Sequence, residues 1–147
     1  MLLPIKKRIP IFELKTKITG LVSAFDSTAK VGKVLSSFIF CGIANPSRFE
    51  RSVNKNGTAI VGELFYNDHH SYSESDVRTI IERTKFLGVK TAITTEKDAV
   101  KLLRYRELFD AAGITLLILQ ISSEVTPSDK FIDILLNAIK ENKPDDR

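Results

Sequence analysis

Both histidines of the chain, His69 and His70, follow directly on Asp68 in the stretch FYNDHHSYSESD, residues 65 to 76. An imidazole titrates near pH ~6.5, so a carboxylate beside it can bring it into the working range of a general base. On chemistry alone three readings stay open: a catalytic base, a metal site, or a capping and packing role before a helix. Adjacent side chains diverge, so two neighbouring imidazoles rarely serve one centre. A metal is disfavoured because no further His and no carboxylate cluster at ligand spacing accompanies them.

Two other polar stretches carry chemistry. In TTEKD, residues 94 to 98, Thr95 and Asp98 have the spacing of a capping box, with Glu96 and Lys97 as first-turn residues. The same hydroxyl, the free N–H groups of the turn and the Lys97 ammonium would equally suit an anion or phosphate, and spacing does not separate the two. In GIANPSRFE, residues 42 to 50, Gly42 permits close backbone approach, Asn45 is a cap, Pro46 suits a first helical turn, and Arg48 can meet a phosphate bidentately. No G-x-x-x-x-G-K-[ST] phosphate loop occurs in the chain.

The elements that must position these loops are legible from Ser36 onward. Four short apolar runs, SFIFC (37–41), AIVGELF (59–65), TAIT (91–94) and TLLILQI (115–121), have the composition of strands buried on both faces. Between them lie helical patterns. Val77, Ile80, Ile81, Thr84 and Leu87 share one face of a helix over 73–87, closed by Gly88, and Gly113 closes the next helix. A last helix, from about Pro127 to Glu141, carries Phe131, Ile132, Leu135, Leu136 and Ile139 on its inner side. Ser73 with Asp76 and Thr126 with Asp129 repeat the capping-box spacing.

Strand-then-helix units in series predict an α/β fold: a three-layer, mostly parallel, Rossmann-like sheet with helices on both faces. In such sheets the loops at the carboxyl ends of the strands collect ligands, and all three polar loops fall at that rim. The predicted α/β domain spans 36–142 and the solvated tail 143–147. Residues 1–35 have two short extended runs, around Ile9 to Leu14 and Leu21 to Phe25, and read as an extended or hairpin-like connector from a missing domain.

At 147 residues there is room for one ordinary domain and an extra segment. Apolar runs such as Ile114 to Leu119 are far short of the roughly 18–20 residues of a membrane span. MLLPIKKRIP reverses the order of a secretory signal, so a cytoplasmic chain is expected. The single cysteine, Cys41, fits a reducing compartment and reads as a buried strand residue. A net charge of +4, spread along the chain without interleaved aromatics, does not argue for nucleic acid.

Taken together, the G-I-x-x-P-x-x-F loop at 42–49, the D-H-x-x-[YF] loop at 68–72 and T-T-E-K-D-x-x-K at 94–101 resemble the C-terminal half of the tetraacyldisaccharide 4'-kinase family. Three modest motifs in order, over roughly residues 36 to 104, are specific, and the preceding stretch is similar to the segment joining two domains there.

The resemblance implies transfer of the γ-phosphoryl group of ATP, with Mg²⁺, to the 4'-hydroxyl of a tetraacylated glucosamine disaccharide 1-phosphate, the lipid A precursor. It places that reaction at the cytoplasmic face of the bacterial inner membrane. Carried over residue by residue, it makes His69 the base or substrate-orienting group, Asp68 its orienter and His70 incidental. Thr95, Lys97 and Arg48 are candidate substrate or anion contacts, and Gly42, Asn45, Pro46, Glu96 and Asp98 shape the cleft.

The sequence departs from the family at Asn67, where proline is common, and above all in lacking the P-loop domain and its Mg²⁺-holding acids. The expectation is therefore a half-enzyme, inactive alone, with no tight ATP or Mg²⁺ binding and no metal site of its own. Two rivals are a non-catalytic α/β binding module and a metal-dependent phosphoesterase of the D-H-H class.

Overall fold

The computed structural model describes residues 10–26 and 31–141. Its elements run β1 (Glu13–Ser23), β2 (Ser36–Cys41), α1 (Pro46–Lys55), β3 (Ala59–Phe65), α2 (Glu74–Phe86), β4 (Thr91–Thr94), α3 (Glu96–Leu102), a 3-10 turn (Leu103–Tyr105), α4 (Arg106–Ala112), β5 (Thr115–Thr126) and α5 (Ser128–Glu141). The strands form one sheet in the order β1-β5-β4-β2-β3. The four from β2 to β5 pair in parallel, as the strand-helix alternation predicts.

Register builds the core. Phe38 sits opposite Ala92 and Ala92 opposite Leu116, while Ile39, Ile93 and Leu117 form the next row. Because successive strand residues face opposite ways, the first row enters one core layer and the second row the other. Val77, Ile80 and Ile81 of α2, Leu102 of α3 and Phe109 of α4 cover the first layer. Phe49 and Val53 of α1 cover the second, each such side chain contributing about 1.5–3 kcal/mol by its removal from water. Helices thus lie on both faces, and the three-layer expectation holds.

Two compact units divide the chain. One spans Ile18–Ile121; among the described residues the other comprises 10–17 and 122–141. The first unit takes in part of the stretch read from sequence as a connector. The two extended runs foreseen near Ile9–Leu14 and Leu21–Phe25 are instead one strand, β1, whose Leu21 and Val22 are buried. Ile9 and the 143–147 tail lie outside the described residues. In the second unit, Lys17 pairs with Glu124 at 3.5 Å and the Phe12 and Phe131 rings meet edge to face at 5.1 Å.

Three further expectations are corrected. The last helix, Ser128–Glu141, lies where it was expected, but Thr126 belongs to β5, and Ile132, Leu135, Leu136 and Ile139 are exposed rather than inward-facing. The helix expected to end at Gly113 is broken into α3, the 3-10 turn and α4. And β3, read as buried on both faces, is an edge strand whose residues are exposed or half-buried. An apolar run gives strand type but not strand position. No helix among the described residues is long and apolar enough to cross a membrane.

Candidate functional site

Strand order decides where the loops meet. From β2 the chain passes through α1 to β3 on one side, and from β4 through α3 and α4 to β5 on the other. The loops after these neighbouring strands therefore diverge and leave a crevice between their carboxyl ends, where α/β sheets place ligands. Gly42 follows β2 and Thr95 follows β4, so the crevice lies between two of the three polar loops.

Asp98 spans it. Wholly buried, its Oδ2 accepts the Gly42 backbone N–H at 2.9 Å and the Thr95 hydroxyl at 2.9 Å. Its Oδ1 pairs with Lys101 Nζ at 3.2 Å. This is half of the capping box expected from spacing: Thr95 Oγ1 accepts the Asp98 N–H at 3.2 Å, but the carboxylate takes the N–H of Gly42 in the neighbouring loop instead of the cap's own. Thr95 donates its hydroxyl proton to Asp98.

Gly42 is needed here for space. A Cβ on it would stand 3.0 Å from His70 Cβ and 3.1 Å from the Asn67 carbonyl oxygen. The DHH loop thus packs on bare backbone, and the His69 N–H donates to Gly42 O at 3.1 Å. Asn45 caps α1 through the Arg48 N–H, with Pro46 in the first turn as foreseen and Arg48 exposed beside it. Glu96 is exposed in the first turn of α3.

The two histidines part company. His69 has φ +61°, a left-handed conformation uncommon for a residue with a Cβ, and its side chain is 75% exposed. Its Nε2 lies 3.5 Å from Asp68 Oδ2 and 3.4 Å from Lys97 Nζ, and Lys97 is 3.4 Å from Asp68 Oδ1. Nε2–H can donate to Asp68, or a bare Nε2 can accept from Lys97, so the cluster serves either tautomer. Partial desolvation works against ionisation of Asp68. The Lys97 hydrogen bond and the His69 and Lys97 charges outweigh it and hold the carboxyl below its usual range.

His70 stacks on Tyr66 at 4.3 Å, meets Tyr72 edge-on, and places Nε2 3.1 Å from Asp76 Oδ2. It is a packing residue that locks the loop onto α2, more than the incidental neighbour the sequence suggested. Asp76 also accepts the Ser73 N–H at 2.8 Å in a complete capping box. That backbone bond chiefly, against some desolvation and with help from the Ser73 hydroxyl and His70, holds its carboxyl below the usual range.

A folded-state pKa lowered this way means the stabilisation is complete above about pH 4 and is lost as pH falls through the lower value. Asp76→Ala is expected to cost about 1–2 kcal/mol at pH 7. In urea unfolding the gap from the parent should narrow at pH 3; an equal gap at both pH values would refute the assignment.

Sequence reasoning gave no role to three residues around this frame. Lys101, the last residue of the T-T-E-K-D-x-x-K stretch and three positions after Asp98, also donates to the His70 carbonyl at 2.9 Å. The Tyr72 ring is buried and its carbonyl accepts from Arg104 Nη2 at 2.8 Å and the Tyr105 hydroxyl at 3.0 Å, which anchors the far end of the loop. Burial first, then the charge of Asp98, raises the Tyr72 phenol well above its ordinary value, and its hydroxyl has no hydrogen-bond partner among the described residues. Tyr66, the third, is pushed up to about 12 by burial and then Asp76. Cys41 is buried as foreseen; burial and the Asp98 charge push its thiol up to about 12, so it is no nucleophile. Among the described residues no group of three or more His, Cys, Asp or Glu could hold a metal ion.

Comparison with known proteins agrees with this arrangement. The sequence profile of tetraacyldisaccharide-1-P 4'-kinase matches residues 3–140. A tetraacyldisaccharide 4'-kinase of Chlorobium phaeovibrioides is 32% identical over 114 residues, covering 74% of this chain and 32% of that protein. One of Desulfatibacillum aliphaticivorans is 36% identical over 101 residues, covering 69% and 26%, and one of Desulfotalea psychrophila 42% over 65 residues, covering 44% and 19%. The chain thus spans about a fifth to a third of the length of these relatives, the partial span expected of one domain.

The crystal structure of the "apo" form of LpxK from Aquifex aeolicus, in complex with ATP, superposes with a TM-score of 0.54 at 16% identity over 87% of this chain and 36% of that one, a likeness of fold. With the profile running through all three rim loops, the chain belongs to the tetraacyldisaccharide-1-P 4'-kinase family.

Proposed function

We propose that this chain is the C-terminal part of an ATP-dependent lipid kinase that phosphorylates the 4'-hydroxyl of tetraacyldisaccharide 1-phosphate, at the cytoplasmic face of the inner membrane. Alone it is inactive. The observation that carries the reading is the Asp68–His69–Lys97 cluster, exposed at the rim of the crevice on a loop braced from three sides.

Phosphoryl transfer asks a protein for positioning, charge stabilisation and a group that orients or deprotonates the attacking hydroxyl. His69 supplies the last. Its imidazole takes or orients the hydroxyl proton, Asp68 steadies the resulting cation, and Lys97 keeps Asp68 ionised.

The residues of this chain do not fit ATP-Mg²⁺. It has no phosphate loop, and its described residues offer no acidic or metal-ligating cluster. Those parts are assigned to a nucleotide-binding domain, from the same gene or a separate chain. A D-H-H phosphoesterase needs further aspartates to hold its metals, and among the described residues no group of three or more His, Cys, Asp or Glu is placed to do so, which weighs against that rival.

The test is 4'-kinase activity on tetraacyldisaccharide 1-phosphate with ATP-Mg²⁺, for this chain alone and mixed with the nucleotide-binding domain of a relative. Turnover only in the mixture is expected. A folded chain that binds that domain yet gives no turnover would leave the non-catalytic module as the better reading.

A further inference from the structure

The DHH loop holds an unusual backbone at His69, above a second set of contacts that lies apart from the exposed cluster. Lys101 stands below the loop with its side chain 28% exposed, paired to an Asp98 carboxylate that is 0% exposed. Its ammonium lies 3.2 Å from Asp98 Oδ1, 2.9 Å from the His70 carbonyl oxygen and 5.8 Å from the centre of the Tyr72 ring. Through Asp98 it reaches the Gly42 N–H and the Thr95 hydroxyl. One ammonium and one carboxylate therefore connect the loops after β2, β3 and β4. The bond to the His70 carbonyl falls one residue after the left-handed His69.

We propose that Lys101 is a positioning residue for His69: its bond to the His70 carbonyl, backed by the buried Asp98, fixes the left-handed turn that presents the imidazole at the crevice. A lysine suits this place because its compact head can serve a carboxylate and a carbonyl at once, and because the buried carboxylate needs a counter-charge. Lys97, four residues earlier on the same helix, acts on Asp68 and His69 from the solvent side. The two lysines thus have separate duties, Lys101 on the backbone of the loop and Lys97 on its side chains.

The catalytic consequence rests on the kinase reading of His69; the positioning does not. The first test therefore uses the 147-residue chain without substrate. In Lys101→Met, amide exchange at His69 and His70 should accelerate at least about tenfold while amides in β2 and β4 keep their protection. Lys101→Arg should restore most of it. Should Lys101→Met fail to fold, the paired variant Asp98→Asn with Lys101→Met removes the unpaired buried charge as well as the tether, and the same acceleration is expected. Unchanged exchange at both histidines in a folded variant would overturn the proposal.

In the two-domain mixture, Lys101→Met should lower kcat by about ten- to a hundredfold with KM little changed, and Lys101→Arg should recover it. An unaltered kcat would overturn the positioning role in catalysis. Absence of turnover in the parent mixture would count against the kinase reading, and the exchange result alone would then decide the proposal.

Discussion

Asp98→Ala is expected to destabilise the Ile18–Ile121 unit by about 3–5 kcal/mol, the range found when one partner of a buried ion pair is removed. Three losses combine. The Gly42 N–H, buried with its residue, is left without its acceptor, the Thr95 hydroxyl loses its own, and Lys101 keeps a half-buried charge with only the His70 carbonyl to serve it. A typical domain is stable by only ~5–15 kcal/mol, so the variant should sit close to unfolding. Asp98→Asn should cost less, about 1–3 kcal/mol, because an amide oxygen still accepts from Gly42 while the counter-charge is gone. Urea midpoints at constant m-value measure both. An alanine variant within ~1 kcal/mol of the parent would mean that the carboxylate is not the hub of the three loops.

Much of this was legible in sequence for a physical reason. The central strands β2 and β4 are buried on both faces, so their residues are selected for apolar character with little competition, and SFIFC and TAIT read cleanly. The caps at Asn45 and Ser73 are local, formed within four residues, and they too came through. What failed was non-local. Nothing within β1 or β3 says that it lies at an edge or which strand it adjoins, and the apolar stripe on α5 carries no record of what it faces.

The candidate site divides along the same line. Asp68 and His69 are neighbours in the chain and were found together, whereas Lys97 joins them from a different strand-helix unit, 28 residues further on. Asp98 looked like a cap because Thr95 precedes it by three positions; its partner Gly42 is 56 residues away and visible only once β2 and β4 lie side by side. The left-handed backbone of His69 had no signal at all, since no glycine or asparagine marks it. A strained non-glycine residue at the rim of the crevice is itself a reason to look for function there.

That strain shapes the second large expectation, the loss of transfer on removal of the His69 imidazole. Activity of the two-domain mixture should fall about 10²–10⁴-fold, the usual contribution of a positioned acid-base group. Alanine alone is an ambiguous probe, because at φ +61° any residue with a Cβ pays about 1–2 kcal/mol of backbone energy and Ala has no side-chain hydrogen bond to offset it. Asparagine tolerates that conformation while lacking the imidazole. His69→Asn should therefore keep the loop and lose the chemistry, and His69→Ala should lose both.

If the ring acts as the base, the acid limb of the kcat/KM profile should disappear in the residual activity of His69→Asn; if it only orients the hydroxyl, the limb should persist at reduced height. A His69→Asn mixture as active as the parent would remove His69 from the reaction. The exposed cluster would then reduce to an ion pair on a braced loop, and the family resemblance would lack a reacting group in this half of the enzyme.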